Sequence, residues 1–462
     1  MQVVASRPYA TNGERNERSS AHNDGPERAR RGVTTASPNT RVFVGMSGGV
    51  DSSVSAALLV EQGYDVTGIY MKNWSRDLPG MKCPWADDLA DAKRVAVKLG
   101  IPFEVWDFED AYREKVVEYM LREFKAGNTP NPDIMCNEEI KFKLFYETAM
   151  KRGADFIATG HYARVGLGGG ANMFSRPYAT NGERNERSSA HNDGPERARR
   201  ENIVGATRSA LLRATDENKD QTYFLYRISE EALAHTLFPI GGMLKPDVKK
   251  LAAEKGLHNA YKKESMGVCF VGEVGMKDFL KEYIDIKPGE IREAETERVL
   301  GYHEGAIFYT IGQRHGLYLS GNKGEANTGL PYYVVHKDLK NNIVYVSRDL
   351  NHSAIWTREL KLQDMVIREG VARVSQRRAS GAWQGEDERR SPVATGRANA
   401  ARVESALDRT PVMVRLRHRA PLIPAVLQGD TLIFESEIKR PASGQSAVFY
   451  DGEICLGGGV IV

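Results

Sequence analysis

Short apolar runs alternate with amphipathic stretches through the first third of the chain. The apolar runs have the length and β-branched content of strands, and they span 41–46, 65–71, 103–108 and 156–161. The stretches between them space apolar residues as on one face of a helix, over 54–62, 87–99, 110–124 and 138–151. Strands that alternate with helices predict an α/β fold with a doubly wound parallel sheet. Ligands of such sheets bind beyond the carboxyl ends of the strands.

The pattern changes in the C-terminal half, where strand-like runs follow one another. Runs within 298–309 and 332–349 are separated by turn residues such as Lys340-Asn341-Asn342. After Pro411 apolar and polar residues alternate, and Gly429-Asp430 and Asp451-Gly452 have the composition of hairpin turns. We therefore predict a small β domain and a C-terminal β-barrel. The predicted domains are 41–283 (α/β), 284–350 (small β domain) and 351–462 (barrel).

Three polar, Arg-rich segments interrupt this pattern. Residues 6–31 and 175–200 are identical, and 371–405 has a similar composition. They lack apolar periodicity, so we predict a disordered N-terminal extension over 1–40 and disordered inserts over about 166–204 and 371–405. An alternative is that the two copies are basic arms that bind RNA.

These segments also account for the positive charge of the chain. Each copy holds six Arg and four acidic residues, and 371–405 holds seven Arg and four acidic residues. The chain as a whole carries a formal charge of +3, so the remainder carries −4. Overall basicity is therefore no evidence for a nucleic-acid partner, and an RNA site would have to come from local patches.

The composition is that of a water-soluble protein. Of 462 residues, 41% are hydrophobic and 27% charged, and we find no apolar run long enough for a bilayer and no secretory signal. Four cysteines, Cys83, Cys136, Cys269 and Cys455, are widely spaced and form no CxxC pair, so we predict no metal site. We expect a cytoplasmic protein in a reducing compartment, with no membrane partner.

The strongest chemical motif is Ser47-Gly48-Gly49-Val50-Asp51-Ser52-Ser53, between the first predicted strand and the first predicted helix. Glycines allow a sharp turn, and the N–H groups at the start of a helix attract phosphate. No Gly-Lys-Ser/Thr follows, so this is not the common nucleotide-binding loop. It resembles instead the pyrophosphate loop of enzymes that split ATP into AMP and pyrophosphate. A ligand-free turn is the alternative for the glycines alone.

Two cysteines lie in contexts that suit thiol chemistry. Asp133 and Cys136 lie in a predicted loop between two helices, which Pro130 and Pro132 would stiffen. Cys136 follows Asp133 by three residues at the entry to the second helix, whose N-terminus would favour its thiolate. Cys269 lies between glycines in Gly267-Val268-Cys269-Phe270-Val271-Gly272. One thiol can carry sulfur as a persulfide and a second can resolve it through a disulfide. A helix cap at Asp133 and a buried structural thiol are the alternatives.

Several motifs occur together in one order: GMSGGVDSS, GIYMKNW, NPDIMCN, ATGHYAR, KDQTYFL, GVCFVG, YTIGQRHGL and GQSAVFYDGEICLGGGVI. Together they resemble the bacterial tRNA-specific 2-thiouridylase family and its mitochondrial counterpart. The resemblance covers about 41–165, 205–370 and 406–462. It implies a PP-loop ATP-pyrophosphatase domain (adenine nucleotide alpha hydrolase-like), then a small β domain and a β-barrel. It also implies 2-thiolation of the wobble uridine in tRNAs for Lys, Glu and Gln.

The resemblance assigns residues to ATP and to sulfur transfer. The phosphates would be held by the loop residues Gly45, Met46, Ser47, Gly48, Gly49, Val50, Asp51 and Ser52. Met71 and Gly160 would line the adenosine pocket, and Mg²⁺ is implied with ATP. Cys136 would be the nucleophile, Cys269 the persulfide carrier and Asp133 a general acid/base. A sulfur-donor protein is implied as a partner. The sequence leaves open its identity, the oligomeric state, and whether the persulfide attacks directly or releases hydrosulfide.

The resemblance also assigns contacts with tRNA. Asn131, Pro132 and Asp133 would meet the target base. Further tRNA contacts would come from His161, Lys219, Asp220, Gln221, Arg417, His418 and Gln445. His418 stands where the family has Tyr. Apart from the resemblance, the strand alternation would place the Arg residues of 415–419 on one face, where they could meet phosphates. Alternation alone fits a solvated strand face equally well.

Two other functions fit parts of the sequence. One is a PP-loop synthetase that activates a small molecule, like argininosuccinate or GMP synthetase, although such enzymes have no need of two thiols. The other is a non-catalytic tRNA-binding remnant, which the polar insertions suggest. An insertion through the sheet would favour the remnant.

Overall fold

The structure is a computed structural model that describes residues 40–76, 85–167, 209–263, 275–317, 319, 331–368 and 409–462. The three Arg-rich segments lie outside these residues, and so do Cys83 and Cys269. Among the described helices, none is long and apolar enough to cross a membrane.

The α/β region is built on a five-stranded sheet in which every neighbouring pair is parallel. Its strands are β1 (Arg41–Gly45), β2 (Asp65–Lys72), β3 (Phe103–Asp107), β4 (Phe156–Ala158) and β7 (Thr236–Leu237). The spatial order is β3-β2-β1-β4-β7. The chain runs outward in one direction from β1 to β3 and returns to the other side at β4. The ends of β1 and β4 therefore form the switch point where such sheets bind ligands.

Helices cover both faces of this sheet, as the alternating pattern predicts. One core contains buried residues of α1 (Val50–Glu61), α2 (Trp85–Leu99) and α8 (Lys245–Glu254). The other contains residues of the helices between β3 and β4. The remaining α-helices are α3 (Glu109–Tyr112), α4 (Glu118–Lys125), α5 (Pro132–Met135), α6 (Tyr146–Lys151), α7 (Glu230–Ala234) and α9 (Met276–Tyr283). The doubly wound architecture is confirmed.

The two predicted helices between β3 and β4 contain π-helical segments. Residues Arg113–Val117 join α3 to α4, and Cys136–Phe145 join α5 to α6. The second helical region therefore begins at Pro132, six residues before the predicted start. Asp133 and Cys136 lie within its first turns and not in a separate loop. Short 3₁₀ segments lie at Thr222–Phe224 and Ala306–Phe308.

The two predicted β regions are also present. A four-stranded sheet contains β8 (Gly289–Glu293), β9 (Val299–His303), β10 (Tyr333–Asp338) and β11 (Ile343–Ser347). The barrel is formed by β12 (Trp356–Ile367), β13 (Thr410–Arg415), β14 (Ile423–Gln428), β15 (Thr431–Lys439), β16 (Ser446–Asp451) and β17 (Ile454–Ile461), and the pairing of β12 with β17 closes it. Gly429 and Gly452 have positive φ in the predicted hairpin turns.

One hairpin joins the α/β region to the barrel sheet. Strands β5 (Ala163–Leu167) and β6 (Ser209–Arg213) pair with each other, and β6 pairs with β17. The second Arg-rich copy lies in sequence between β5 and β6, and 371–405 lies between β12 and β13. Each of these two segments thus falls between strands in the sequence and not within one, so neither interrupts a strand of the described sheets.

Both β regions contact the turn that precedes Pro132. The half-buried Lys337 Nζ donates a hydrogen bond to the Gly127 carbonyl (2.8 Å), and desolvation lowers the pKa of Lys337. From the barrel, the Ser443 carbonyl accepts from the Thr129 N–H (2.8 Å), and Gln445 Nε2 donates to the Thr129 carbonyl (2.7 Å). Residues 127–129 are therefore held from two sides, which fixes the start of the helix that carries Asp133 and Cys136.

We predict that Gly444→Ala destabilises the protein more than the matched Gly429→Ala. Both glycines have positive φ (+87° and +57°), so both variants carry a backbone cost of about 1–3 kcal/mol. A Cβ at Gly444 would also lie 3.0 Å from Thr129 N and Asn128 Cβ, whereas Gly429 has open space. Chemical denaturation measures the difference. Equal losses in unfolding free energy would contradict this account of the barrel contact.

Candidate nucleotide and thiol site

The predicted phosphate loop connects β1 to α1 at the switch point of the sheet. Gly49 precedes the helix in an extended conformation, and no side chain caps the helix there. The Ser47 N–H donates to Ser52 Oγ at 3.2 Å, which curls the loop over the first turn. The N–H groups at this end and the helix dipole suit an anion.

Two glycines allow the close packing around this loop. Gly48 has φ of +75°, and a Cβ there would lie 2.2 Å from the Asp88 carbonyl oxygen. A Cβ on Gly160, just after β4, would lie 2.6 Å from the Ser52 nitrogen. Any side chain at either position would displace the backbone, so the loop requires glycine at both.

Asp51 forms the main electrostatic contact of the loop. Lys245 Nζ lies 2.7 Å and 2.8 Å from its two carboxylate oxygens, and Tyr162 Oη donates to Oδ1 at 3.2 Å. Lys245 is buried at the start of α8, with 8% of its side chain exposed, whereas 29% of Asp51 is exposed. A buried cation thus lies next to the place expected for phosphate. Sequence reasoning missed Lys245, because 194 residues separate it from Asp51 and no short motif contains it.

A second set of contacts holds the loop from the segment after α8. Asn259 Nδ2 donates to the Gly48 carbonyl (3.0 Å) and to Ser53 Oγ (2.9 Å). Lys262 Nζ binds Asp88 (2.7 Å) and Asp91 (2.6 Å) on α2. Burial lowers the pKa of Lys262, but these two carboxylates outweigh burial and raise it overall. Asn259 and Lys262 lie far from the loop in sequence, so no local motif predicts these contacts either.

The remaining predicted ATP residues fall into two groups. Met46 and Val50 are buried in the core, so they can offer only backbone atoms to a ligand. Met71 is partly buried at the end of β2, and a Cβ on Gly45 would lie 2.9 Å from Met71 Cε. Gly45, Met71 and Gly160 thus all lie at the carboxyl ends of β1, β2 and β4, which is where an adenosine pocket is predicted.

Asn131, Pro132 and Asp133 form the start of the helical region that carries Cys136. Asn131 Oδ1 caps it by accepting from the Asp133 N–H at 3.2 Å, and Pro132 occupies the first turn. Asp133 is therefore not the helix cap, so its carboxylate is not used in capping. Burial raises the pKa of Asp133, and the charge of Lys141 offsets this only in part.

Cys136 is buried at the start of the π-helical segment, with 4% of the residue exposed. The same segment packs on the switch point through two aromatic rings. The Phe142 and His161 ring centroids are 5.7 Å apart, and the Cβ position of Gly45 is 3.7 Å from Phe145 Cε1. The helical segment with the predicted nucleophile is thereby fixed against the ends of β1 and β4. Cys269 lies outside the described residues, so its relation to Cys136 stays a prediction.

Other predicted tRNA contacts differ in exposure. His161 is only 9% exposed, and its Nδ1 lies 2.8 Å from Thr159 Oγ1. Burial, with a smaller contribution from Lys141, lowers the pKa of His161 well below its ordinary value. The ring is therefore neutral and presents little surface to a tRNA. Lys219 and Gln221 are partly exposed, and Gln221 Oε1 accepts from the Tyr162 N–H at 2.8 Å.

Asp220 and Arg415 do not fit the direct contacts expected of them. The Asp220 side chain is fully buried, and its carboxylate accepts from Arg415 Nη1 (2.7 Å) and from Thr222 Oγ1 (2.9 Å). Arg415 is 5% exposed, over the ring of Tyr450. Because charge burial requires a partner, the two residues stabilise each other between the α/β region and the barrel. The expectation that Arg415 shares an exposed face with its neighbours is wrong.

Arg417, His418 and Gln445 extend from the barrel. Arg417 is exposed, and the His418 ring packs against Phe224 with centroids 4.5 Å apart and the ring planes tilted by 43°. Burial and then the charges of Arg419 and Arg415 lower the pKa of His418 to about 4, so its ring is neutral at pH 7. Gln445 donates its hydrogen bond to the Thr129 carbonyl, two residues before Asn131, the N-cap of α5. The barrel thus reaches the predicted target-base site through Gln445.

The described residues contain no cluster of three or more His, Cys, Asp or Glu side chains arranged for a metal ion. Magnesium that binds together with ATP does not need such a cluster, because one or two carboxylates and the phosphates can supply its ligands. Asp51 has the chemistry and the position for such a contact, so the residues fit Mg²⁺ that arrives with ATP.

Comparisons with known proteins agree with this architecture. Residues 40–273 match a tRNA methyl transferase HUP domain, 277–348 a tRNA methyl transferase PRC-barrel domain and 399–461 an aminomethyltransferase beta-barrel domain. A solved structure from Methanocaldococcus jannaschii, described as a predicted subunit of tRNA methyltransferase, covers 46% of this chain and 76% of its own at 16% identity. Its TM-score of 0.25 is too low for any argument.

Curated relatives are similar over nearly the whole chain. A tRNA-specific 2-thiouridylase MnmA from Listeria innocua is 39% identical over 93% of this chain and 96% of its own length. MnmA 2 from Geobacillus kaustophilus is 39% identical, with the same shares covered. The MnmA of Pseudomonas fluorescens is 40% identical over 91% of this chain and 94% of its own. The chain therefore belongs to the tRNA-specific 2-thiouridylase MnmA family.

Proposed function

We propose that the chain is a tRNA-uridine 2-sulfurtransferase that thiolates the wobble uridine of tRNAs for Lys, Glu and Gln. The reaction consumes ATP and releases AMP and pyrophosphate. The observation that carries the proposal is the phosphate loop at the switch point, with the Cys136 helical segment packed against the same strand ends. The names of the relatives support tRNA as the substrate.

ATP would bind with its phosphates on the loop Gly45 to Ser52 and its adenosine near Met71 and Gly160. Mg²⁺, when bound through Asp51, would screen the phosphate charge during pyrophosphate release. Lys245 would remain as the buried cation beside the phosphates. Lys245 would then neutralise the part of the phosphate charge that the N-terminus of α1 does not compensate.

Adenylation solves the problem that a uracil carbonyl oxygen is a poor leaving group. Attack of the C2 oxygen on the α-phosphorus forms an O–P bond and expels pyrophosphate. The terminal sulfur of a Cys269 persulfide then adds to C2, and AMP departs with the oxygen. Cys136 thiolate attacks the Cys269 sulfur, which breaks the S–S bond and leaves 2-thiouridine and a Cys136–Cys269 disulfide. A cellular dithiol would reduce this disulfide. Release of hydrosulfide before attack on C2 is the alternative order.

Asp133 suits proton transfer in this sequence. A carboxyl with a raised pKa holds its proton closer to neutral pH than an ordinary aspartate does. It would take the persulfide proton or deliver a proton to the departing group. The Asp133 N–H donates to Asn131 Oδ1, which fixes the backbone from which the Asp133 side chain extends.

The tRNA would be held by residues from the α/β region and the barrel. Asn131 and Pro132 would flank the target base, with Lys219, Gln221, Arg417, His418 and Gln445 as further contacts and His161 behind them. A neutral aromatic ring at His418 can stack on a base as Tyr does. A sulfur-donor protein would load Cys269, and the cytoplasm is the proposed compartment.

Lys245→Met should weaken ATP binding by about tenfold or more, because the Asp51 carboxylate would then face the phosphates without its cation. Lys250→Met is the matched control, since Lys250 lies on the same helix with 68% of its side chain exposed. Isothermal calorimetry with ATP and Mg²⁺ measures the change, and circular dichroism checks folding. Equal affinity in both variants would exclude Lys245 from phosphate binding.

Cys136→Ser and Cys269→Ser should each abolish 2-thiouridine formation, while both variants still bind ATP, because the thiols act after activation. Mass spectrometry of the anticodon nucleoside, after reaction of unmodified tRNA with ATP and a sulfur donor, measures the product. Cys83→Ser and Cys455→Ala are the controls. Cys455 is buried in the barrel, and burial raises its pKa to about 11, which disfavours its thiolate. Thiolation by either of the first two variants would refute the relay.

A further inference from the structure

A cleft lies between the four-stranded sheet and the barrel, away from the residues assigned above. Its described lining is Gly312, Gln313, Arg314, His315, Tyr333 and Lys439, around a volume of about 680 Å³. Gln313 to His315 belong to the YTIGQRHGL motif, to which the proposed reaction gives no role. Lys439 ends β15 of the barrel, so two parts of the fold contribute to one cleft.

The cleft wall is a fixed loop. The Gly312 N–H donates to the Val334 carbonyl (2.7 Å), and the Val334 N–H donates to the Gln313 carbonyl (3.0 Å). The Gln313 side chain accepts from the Thr310 N–H (3.0 Å) and donates to the His315 carbonyl (2.8 Å). These hydrogen bonds fix the backbone of the turn. The side chains of Arg314 and His315 therefore project from a rigid turn and are not used in holding it.

Lys439 is held in place by the same loop. Its Nζ donates to the Gly312 carbonyl at 3.1 Å and lies 6.0 Å from the Tyr333 ring centroid. Gly312 has φ of +79°, and a Cβ there would lie 3.0 Å from Lys439 Cε. Glycine at this position therefore makes room for the lysine stem, while the ammonium keeps two donors for a ligand.

The positive charges of the described lining are not matched by acidic groups of the described residues. Arg314 and His315 are exposed, and neither has a carboxylate partner among the described residues. Many other exposed cations of the chain do have one, such as Lys361 with Asp430 and Lys281 with Glu304. The described lining has no carboxylate, so the site favours an anion.

The geometry points to a binding site for the sugar-phosphate backbone of the tRNA in this cleft. Arg314 and Lys439 would contact phosphates, and Tyr333 would offer a ring for stacking, the combination that holds RNA strands. This inference rests on the proposed tRNA substrate and adds a contact region that does not touch the reacting base.

The test compares Arg314→Gln/Lys439→Gln with Lys361→Gln, which removes an ion-paired cation of the barrel. Affinity for unmodified tRNA is measured over a range of salt concentrations. The double variant should bind at least about fivefold more weakly, and the slope of log K against log salt should become shallower by about 1.4 to 1.8, the value for two lost phosphate contacts. Lys361→Gln should match the wild type in both.

Unchanged affinity and slope in the double variant would overturn the inference. Normal tRNA binding together with slower sulfur delivery from a donor protein would also overturn it, and would assign the cleft to a protein partner. The proposed function is tested separately, because a wild-type protein that binds tRNA but never thiolates it would refute that function while leaving the cleft contact intact. Equal melting temperatures confirm that the variants are folded.

Discussion

The arrangement of the site depends on a steric constraint at two glycines. Gly48 lies against the Asp88 carbonyl of α2, and Gly160 lies against the backbone of Ser52 in α1. Neither position has room for a Cβ. These contacts fix the N-terminus of α1 between the ends of β1 and β4. The uncapped N–H groups of the helix then face the point where ligands of this sheet bind.

The charged side chains around the loop bind partners of opposite charge. Asp51 is paired with Lys245, so the carboxylate of the loop is neutralised before any nucleotide binds, and Lys262 links Asp88 and Asp91 of α2. An incoming triphosphate with Mg²⁺ can exchange partners with these groups instead of meeting an isolated buried charge, which would be costly. The thiol side is organised differently, by packing. Phe142 and Phe145 fix the Cys136 segment on the same strand ends, and the barrel and the small β domain hold the preceding turn at 127–129.

Much of this was predictable from the sequence, because strand and helix periodicity and turn residues are local signals. The alternating runs predicted the parallel sheet, and Gly429 and Gly452 predicted two barrel hairpins. The misses involve long-range contacts. No local signal links Lys245 to Asp51, or Arg415 to Asp220, and strand alternation alone could not show that Arg415 points into an interface. The early start of the helix at Pro132 was missed because two prolines suggested a loop, although proline is well suited to a first helical turn.

The central claim is that ATP activates the C2 oxygen of uridine so that sulfur can replace it. A tRNA whose target uridine carries ¹⁸O at O2 tests this directly. After one turnover with ATP and a sulfur donor, mass spectrometry of the released AMP should find the heavy oxygen in its phosphate, in equal amount to the 2-thiouridine formed. Formation of 2-thiouridine with AMP that contains no ¹⁸O would contradict the account.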